Sequence, residues 1–121
     1  PIWDKMEQAE INEINPEELL SETVNLKNDG YRLVAISCTY KEGLEITYSF
    51  DKEYNFVNLR LNIDDSVEVE SIGFIYPYSF LYENEIKELF GAKIKNIPVD
   101  YNDNLYRIAV KAPFNNKKEE E

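Results

Sequence analysis

The sequence predicts an α+β fold: an antiparallel β-meander of three to four strands covered by helices, with an extended C-terminal segment. Three observations predict it. Segments 31–40, 44–50 and 54–63 are rich in Val, Ile, Tyr, Phe and Leu, and only "KEG" and "DKE", hairpin-sized connections, separate them. Ahead of them, "NPEELLSETVNLKNDG" carries the start and stop signals of a helix. Behind them, "LYENEIKELFG" has the length and apolar stripe of a second, shorter helix.

Taken in order, residues 1–14 are ambiguous: "QAEINEI" alternates at Ala9 and Ile11 but Ile14 breaks the period, so a short strand is expected. The next element is clearer. Asn15 can cap, Pro16 suits the first helical position, and Glu18 stands three after Asn15, which together read as a capping box with acids in the first turn. Leu19, Leu20, Thr23, Val24 and Lys27 share one face of a helix of about four turns, which Gly30 terminates. In the meander, Leu44, Ile46, Tyr48 and Phe50 alternate with Glu45, Thr47 and Ser49, and Val57, Leu59, Leu61 and Ile63 alternate with Asn58, Arg60 and Asn62. Each of these strands shows one face to the core and one to water. In "LVAI" both faces are apolar, which suits a central strand. After a short extended piece at Val67–Val69, the second helix sets Tyr82, Ile86, Leu89 and Phe90 on one stripe and stops at Gly91. "AKIKNIPVDYNDNLYRIAVKAPF" then offers two short extended pieces around the polar turn "YNDN", limited by Pro98 and Pro113. Residues 1–114 read as a single domain and 115–121, "NNKKEEE", as a frayed charged tail.

Composition removes several classes of function. The 121 residues hold Lys+Arg 13 against Asp+Glu 24, a formal net charge of -11, and no basic stripe offsets it. DNA and RNA are repelled by such a field, so nucleic-acid binding is excluded. Residues 1–22 alone carry seven acids against Lys5, which suits a cationic partner or simply a solvated face. Cys38 is the one cysteine, set among apolar residues in "RLVAISCTY", and reads as a small buried hydrophobe rather than a reactive thiol. With no histidine, imidazole bases and imidazole zinc ligands are absent as well. The longest near-apolar run, "IGFIYPYSFLY", has 11 residues and is interrupted by Pro77, whereas a spanning helix needs about 20. No direct membrane insertion is expected, and without a basic-apolar leader a cytoplasmic location is the default.

The stretch from Phe74 to Gly91 concentrates what chemistry remains. Phe74, Tyr76, Tyr78, Phe80 and Tyr82 stand at alternate positions just before Glu83, Glu85 and Glu88. Glu83 falls beside Phe90 at one edge of the helical stripe and Glu85 beside Leu89 at the other, a poor arrangement for a carboxylate dyad. Glu85 and Glu88 are neighbours three apart, and Glu83 precedes Lys87 by four in the favourable ion-pair order. Three readings compete: a surface helix with solvated charges, core aromatics, and a docking element whose aromatics anchor while its acids meet a partner's cations. No Gly-rich phosphate loop occurs.

"FLYENEIKELFG" resembles the signature of the NADH dehydrogenase thirty-kilodalton subunit family, found in respiratory complex I and its hydrogenase relatives. That signature reads approximately A-x-W-x-E-R-E-x-x-D-L-F/Y-G. Ser79 stands at the small position, Leu81 at the aromatic one, Glu83 and Glu85 at the two glutamates, and Leu89, Phe90 and Gly91 at the closing "LFG". "PEELLSETVNLKNDGYRLVAISC" looks like the family's helix-then-strand opening. Asn84 replaces the family's arginine and Glu88 its aspartate, and no "PLRKDFP"-like run of the respiratory ending occurs. "VDYNDNLYRIAVKAPF" is instead similar to the small peripheral subunit of energy-converting membrane-bound nickel-iron (NiFe) hydrogenases.

The resemblance implies a cofactor-free hydrophilic subunit, peripheral to the cytoplasmic membrane. Its partners would be the hydrogenase large subunit and the iron-sulfur small subunit, which would hold the nickel-iron site and the iron-sulfur clusters. It implies no catalytic or metal residue in this chain, and partner contacts organised by Phe80, Tyr82, Glu83, Glu85, Phe90 and Gly91. Glu83 and Glu85 would pair with partner cations or cap local backbone. A respiratory or formate-linked complex, a standalone binding protein and a carboxylate enzyme using Glu85 and Glu88 are the alternatives.

Overall fold

The computed structural model describes residues 11–64 and 66–98, and they form the expected α+β fold. Strand β1 (Ile11–Glu13) leads into a 3-10 turn at Pro16–Glu18 and helix α1 (Leu19–Asn28). The capping box forms as expected, with the Asn15 N–H donating to Glu18 Oε1 at 3.0 Å. The tight first turn leaves a ten-residue α-helix, shorter than the spacing suggests.

The buried face of α1 is also rotated from the expected one. Leu19 and Thr23 are buried and Leu26 is half-buried, a row at i, i+4 and i+7, while Leu20 and Val24, about 100° further round, stay exposed. Thr23 fits this apolar row because its hydroxyl donates to the Leu19 carbonyl at 2.6 Å.

Strands β2 (Arg32–Tyr40), β3 (Leu44–Lys52) and β4 (Asn55–Ile63) form the antiparallel meander, paired Leu44 to Ile63, Ile46 to Leu61 and Tyr48 to Leu59. The sheet order is β1-β4-β3-β2, which keeps the antiparallel meander, adds β1 beside it and corrects one expectation, the place of β2. The sheet is mixed, because β1 runs parallel to β4. The "LVAI" strand β2 lies at the edge, and β3 is the strand hydrogen-bonded on both sides within the meander. Its apolar residues on both faces reflect cover from a helix, whose Tyr82 hydroxyl donates to the Val34 carbonyl at 3.2 Å. That carbonyl sits where the β2–β3 register shifts between Leu33 and Ala35, a bulge at the sheet edge.

A second, two-stranded parallel sheet joins β5 (Glu68–Glu70) to β6 (Lys93–Lys95), and the crossover between them contains helix α2 (Ser79–Phe90). The inward residues of α2 are Ser79, Glu83, Asn84 and Ile86, with Phe80, Tyr82 and Phe90 half-buried. Leu89, expected on the packed stripe, is 58% exposed. The helix is turned by the partners of a buried carboxylate rather than by its apolar residues alone.

One core joins the layers, with Tyr48, Phe50, Ile46, Leu59, Leu61, Ile72 and Ile86 all buried. Burial of each such side chain contributes about 1.5–3 kcal/mol. Tyr76 ties the loop before α2 to this core: its ring lies 5.5 Å from that of Phe50 and its hydroxyl donates to the Tyr31 carbonyl at 2.7 Å. The half-buried Cys38 thiol is pushed up to about 11, by burial first and by the Glu45 carboxylate second. The first of the two extended pieces expected around "YNDN" is β6, while the second, the domain boundary at 114 and the tail 115–121 lie outside the described residues.

Candidate docking site

The loop between β5 and α2, residues 71–78, sorts its side chains by direction. Ile72 is buried, and its carbonyl accepts from the N–H groups of Ile75 and Tyr76, at 3.0 and 2.9 Å, which tightens the loop into a turn. Phe74 and Tyr78 point outward, each 81% exposed. Gly73 is required by contact, since a Cβ there would lie 2.4 Å from Pro98 Cδ and 2.7 Å from its Cγ.

Glu83 holds this loop. It has no exposed surface, and its Oε1 accepts from the Ser71 hydroxyl at 2.7 Å and the Ser79 hydroxyl at 3.0 Å. Its Oε2 accepts from the Ile72 N–H at 2.9 Å, and the Ser71 oxygen in turn accepts from the Gly73 N–H at 2.9 Å. Burial raises the Glu83 carboxyl above its ordinary value, and the three donors oppose that shift. A buried acid with a raised pKa is a frequent mark of catalysis. Here the carboxyl is sealed from solvent and its oxygens are bonded within the chain, so it serves as a latch rather than as a general acid.

The six residues singled out from the sequence therefore separate. Glu83 caps local backbone from inside. Phe80, Tyr82 and Phe90 are half-buried, and Glu85 is exposed on the outer side of α2. Gly91, at φ +71°, donates its N–H to the Lys87 carbonyl at 3.1 Å, ends the helix and turns the chain into β6. The structure adds Ser71, which no spacing signal marks, and gives Ser79, which the signature places only as a small residue, a hydroxyl role four residues before Glu83. Neighbouring Asn84, also without exposed surface, donates its Nδ2 to the Phe80 carbonyl at 2.8 Å.

Beside the loop runs an apolar groove of about 560 Å³ whose walls include Leu20, Val24, Phe74, Ile75, Ile97 and Pro98. Leu20 and Glu70 also line an adjoining depression of about 280 Å³, together with Pro16, Glu17, Glu68 and Lys95. The helix face left uncovered by the rotation of α1 thus becomes one wall of a concave surface. Among the described residues no three His, Cys, Asp or Glu side chains gather as a metal site, and no helix is long and apolar enough to cross a membrane.

No curated protein matches the sequence. In fold the chain is similar to one in a solved structure titled "Structure of the membrane-bound sulfane sulfur reductase (MBS), an archaeal respiratory membrane complex", with a TM-score of 0.64 and 15% identity. That alignment covers 71% of this chain and 56% of the other, so the chain spans little more than half the length of its structural relative. Residues 12–116 match the family described as "Respiratory-chain NADH dehydrogenase, 30 Kd subunit". The match takes in the described core, the Glu83 latch and the helix that carries it, and on that extent the chain belongs to the respiratory-chain NADH dehydrogenase 30 Kd subunit family.

Proposed function

We propose that this chain is a non-catalytic, cofactor-free docking subunit of a membrane-bound energy-converting nickel-iron hydrogenase. In this reading it contacts the catalytic large subunit and the iron-sulfur small subunit. Those partners hold the metal centres, and electron transfer between ferredoxin and protons or H2 is coupled to ion translocation elsewhere in the complex. The family match over residues 12–116 carries the proposal. The hydrogenase branch is favoured by the likeness of "VDYNDNLYRIAVKAPF" to the small peripheral subunit of such enzymes. One cysteine and no histidine in 121 residues suit a subunit that leaves cluster ligation to others.

Within the proposal, Glu83 sets the loop and Phe80, Tyr82 and Phe90 fix α2 against the sheet. Glu85 faces a partner, and Gly91 redirects the chain. All six organise contact, although only Glu85 and Gly91 are exposed. A second reading, in which the complex reduces sulfur compounds rather than protons, is favoured by the fold likeness to the sulfane sulfur reductase complex.

The test is affinity purification of the tagged chain from detergent-solubilised membranes of its source cells, with mass spectrometry of what accompanies it. Recovery of a nickel-iron large subunit and an iron-sulfur small subunit is the expected result. Recovery of a sulfur-reducing complex would replace the first reading with the second. A chain that emerges alone would overturn both in favour of a standalone binding protein.

A further inference from the structure

Among the described residues nothing covers the groove between α1 and the loop after β6, and its chemistry changes along its length. Its floor is apolar: Leu20 and Val24 stand one turn apart on α1, facing Ile97 and Pro98, with Phe74 beside them. Single exposed apolar residues are ordinary, but four of them, Leu20, Val24, Phe74 and Pro98, converging on one concavity beside the buried Ile97 are not. Leu20 and Glu70 are shared with the adjoining depression, a mouth with three carboxylates, Glu17, Glu68 and Glu70, against one ammonium, Lys95. Lys95 Nζ lies 3.8 Å from Glu68, and Glu70 accepts from the Asn96 amide at 2.6 Å. The mouth therefore keeps a net negative charge.

We propose that this groove seats a segment of a partner subunit made of apolar side chains followed closely by a lysine or arginine. The apolar residues fill the floor and the cation reaches the carboxylates at the mouth. The inference rests on the docking reading above and adds where the partner sits and what it is made of. Charge complementarity selects this occupant. A second copy would bring another chain of net charge -11 to an already acidic mouth, which like-charge repulsion opposes. The exposed outer face of α2, with Leu81, Glu85 and Leu89, is the rival surface, and cross-linking distinguishes the two.

The experiment places a photo-crosslinking amino acid at Val24 in one full-length variant and at Leu89 in another. Both positions are exposed, so neither change disturbs the core. Intact source cells are irradiated and the cross-linked peptides identified by mass spectrometry. Position 24 is expected to capture a partner segment with apolar residues and a lysine or arginine within a few positions, and position 89 is not. Val24→Asp should weaken association by roughly tenfold or more, and Glu17→Lys by about two- to fivefold with the larger effect at low salt. Capture of another copy of this chain, capture of this chain's own residues, capture from position 89 alone, or no capture from position 24 would each overturn the proposal.

The same data separate it from the function on which it rests. If position 24 captures a segment of the expected chemistry from a protein outside any redox complex, the groove stands and the hydrogenase reading fails. If the redox subunits co-purify but position 24 captures nothing, the function stands and the groove is wrong.

Discussion

Replacing Glu83 by alanine tests the central structural element of the candidate site. The carboxylate accepts from the Ile72 N–H and from the hydroxyls of Ser71 and Ser79, and all three residues are buried. The two hydroxyls can rotate toward other acceptors, but the Ile72 N–H cannot. A stranded buried donor costs about 1–3 kcal/mol, and losing bonds to a charged acceptor together with the vacated volume adds a comparable amount. Relief of the desolvation that raises the Glu83 pKa offsets part of this. The net loss expected is about 3 kcal/mol, a large fraction of the roughly 5–15 kcal/mol that holds a domain folded. It should lower the melting temperature by about 10 °C, read by circular dichroism at pH 7.

Glu83→Gln keeps the volume but turns an amide N–H2 toward one of three donors, and should fall between wild type and alanine. The pH dependence has a fixed sign. Because the folded carboxyl binds its proton more tightly than the unfolded one, this group's contribution is greatest below the ordinary value of 4.5 and declines as pH rises through the raised value. Wild type should therefore gain stability relative to Glu83→Gln as pH falls across that interval. A Glu83→Ala protein melting within about 2 °C of wild type would refute the buried latch.

Three other outcomes follow from the same geometry. Tyr76→Phe removes the hydroxyl that donates to the Tyr31 carbonyl and should cost about 1 kcal/mol, whereas Tyr48→Phe removes a buried hydroxyl with no hydrogen-bond partner among the described residues and should be neutral or stabilising in chemical denaturation. Gly73→Ala should cost about 1–3 kcal/mol because its Cβ runs into Pro98, while Gly91→Ala, with open space around its Cβ but φ at +71°, should lose only about 1 kcal/mol. Cys38, with its thiol at about 11, should react with iodoacetamide at pH 8 about a hundredfold more slowly in the folded chain than in the unfolded one, and faster as pH rises.

Periodicity and punctuation alone determine much of this protein. The three meander strands, both helices, the Asn15–Glu18 capping box and the Gly91 stop are local, since hairpin length, capping chemistry and alternation act within a few residues. The composition of one cysteine, no histidine and net charge -11 likewise bounds the chemistry before any fold is known. What the sequence alone misplaces are choices made between distant segments. "LVAI" reads as a central strand, but only the order of pairing puts β2 at an edge beneath the Tyr82 hydroxyl.

Leu20, Val24 and Leu89 are as apolar as the residues beside them. Their exposure follows from where Thr23, Ser79 and Glu83 find partners, because an unpaired buried polar group costs more than an exposed leucine. Glu83 shows the limit most clearly. On a helical wheel it is one surface acid among three, and Ser71, twelve residues earlier across a loop and a turn, brings it inside. The apolar groove exists for the same reason: tertiary packing rotated α1, and the face it left uncovered became one wall of the concavity.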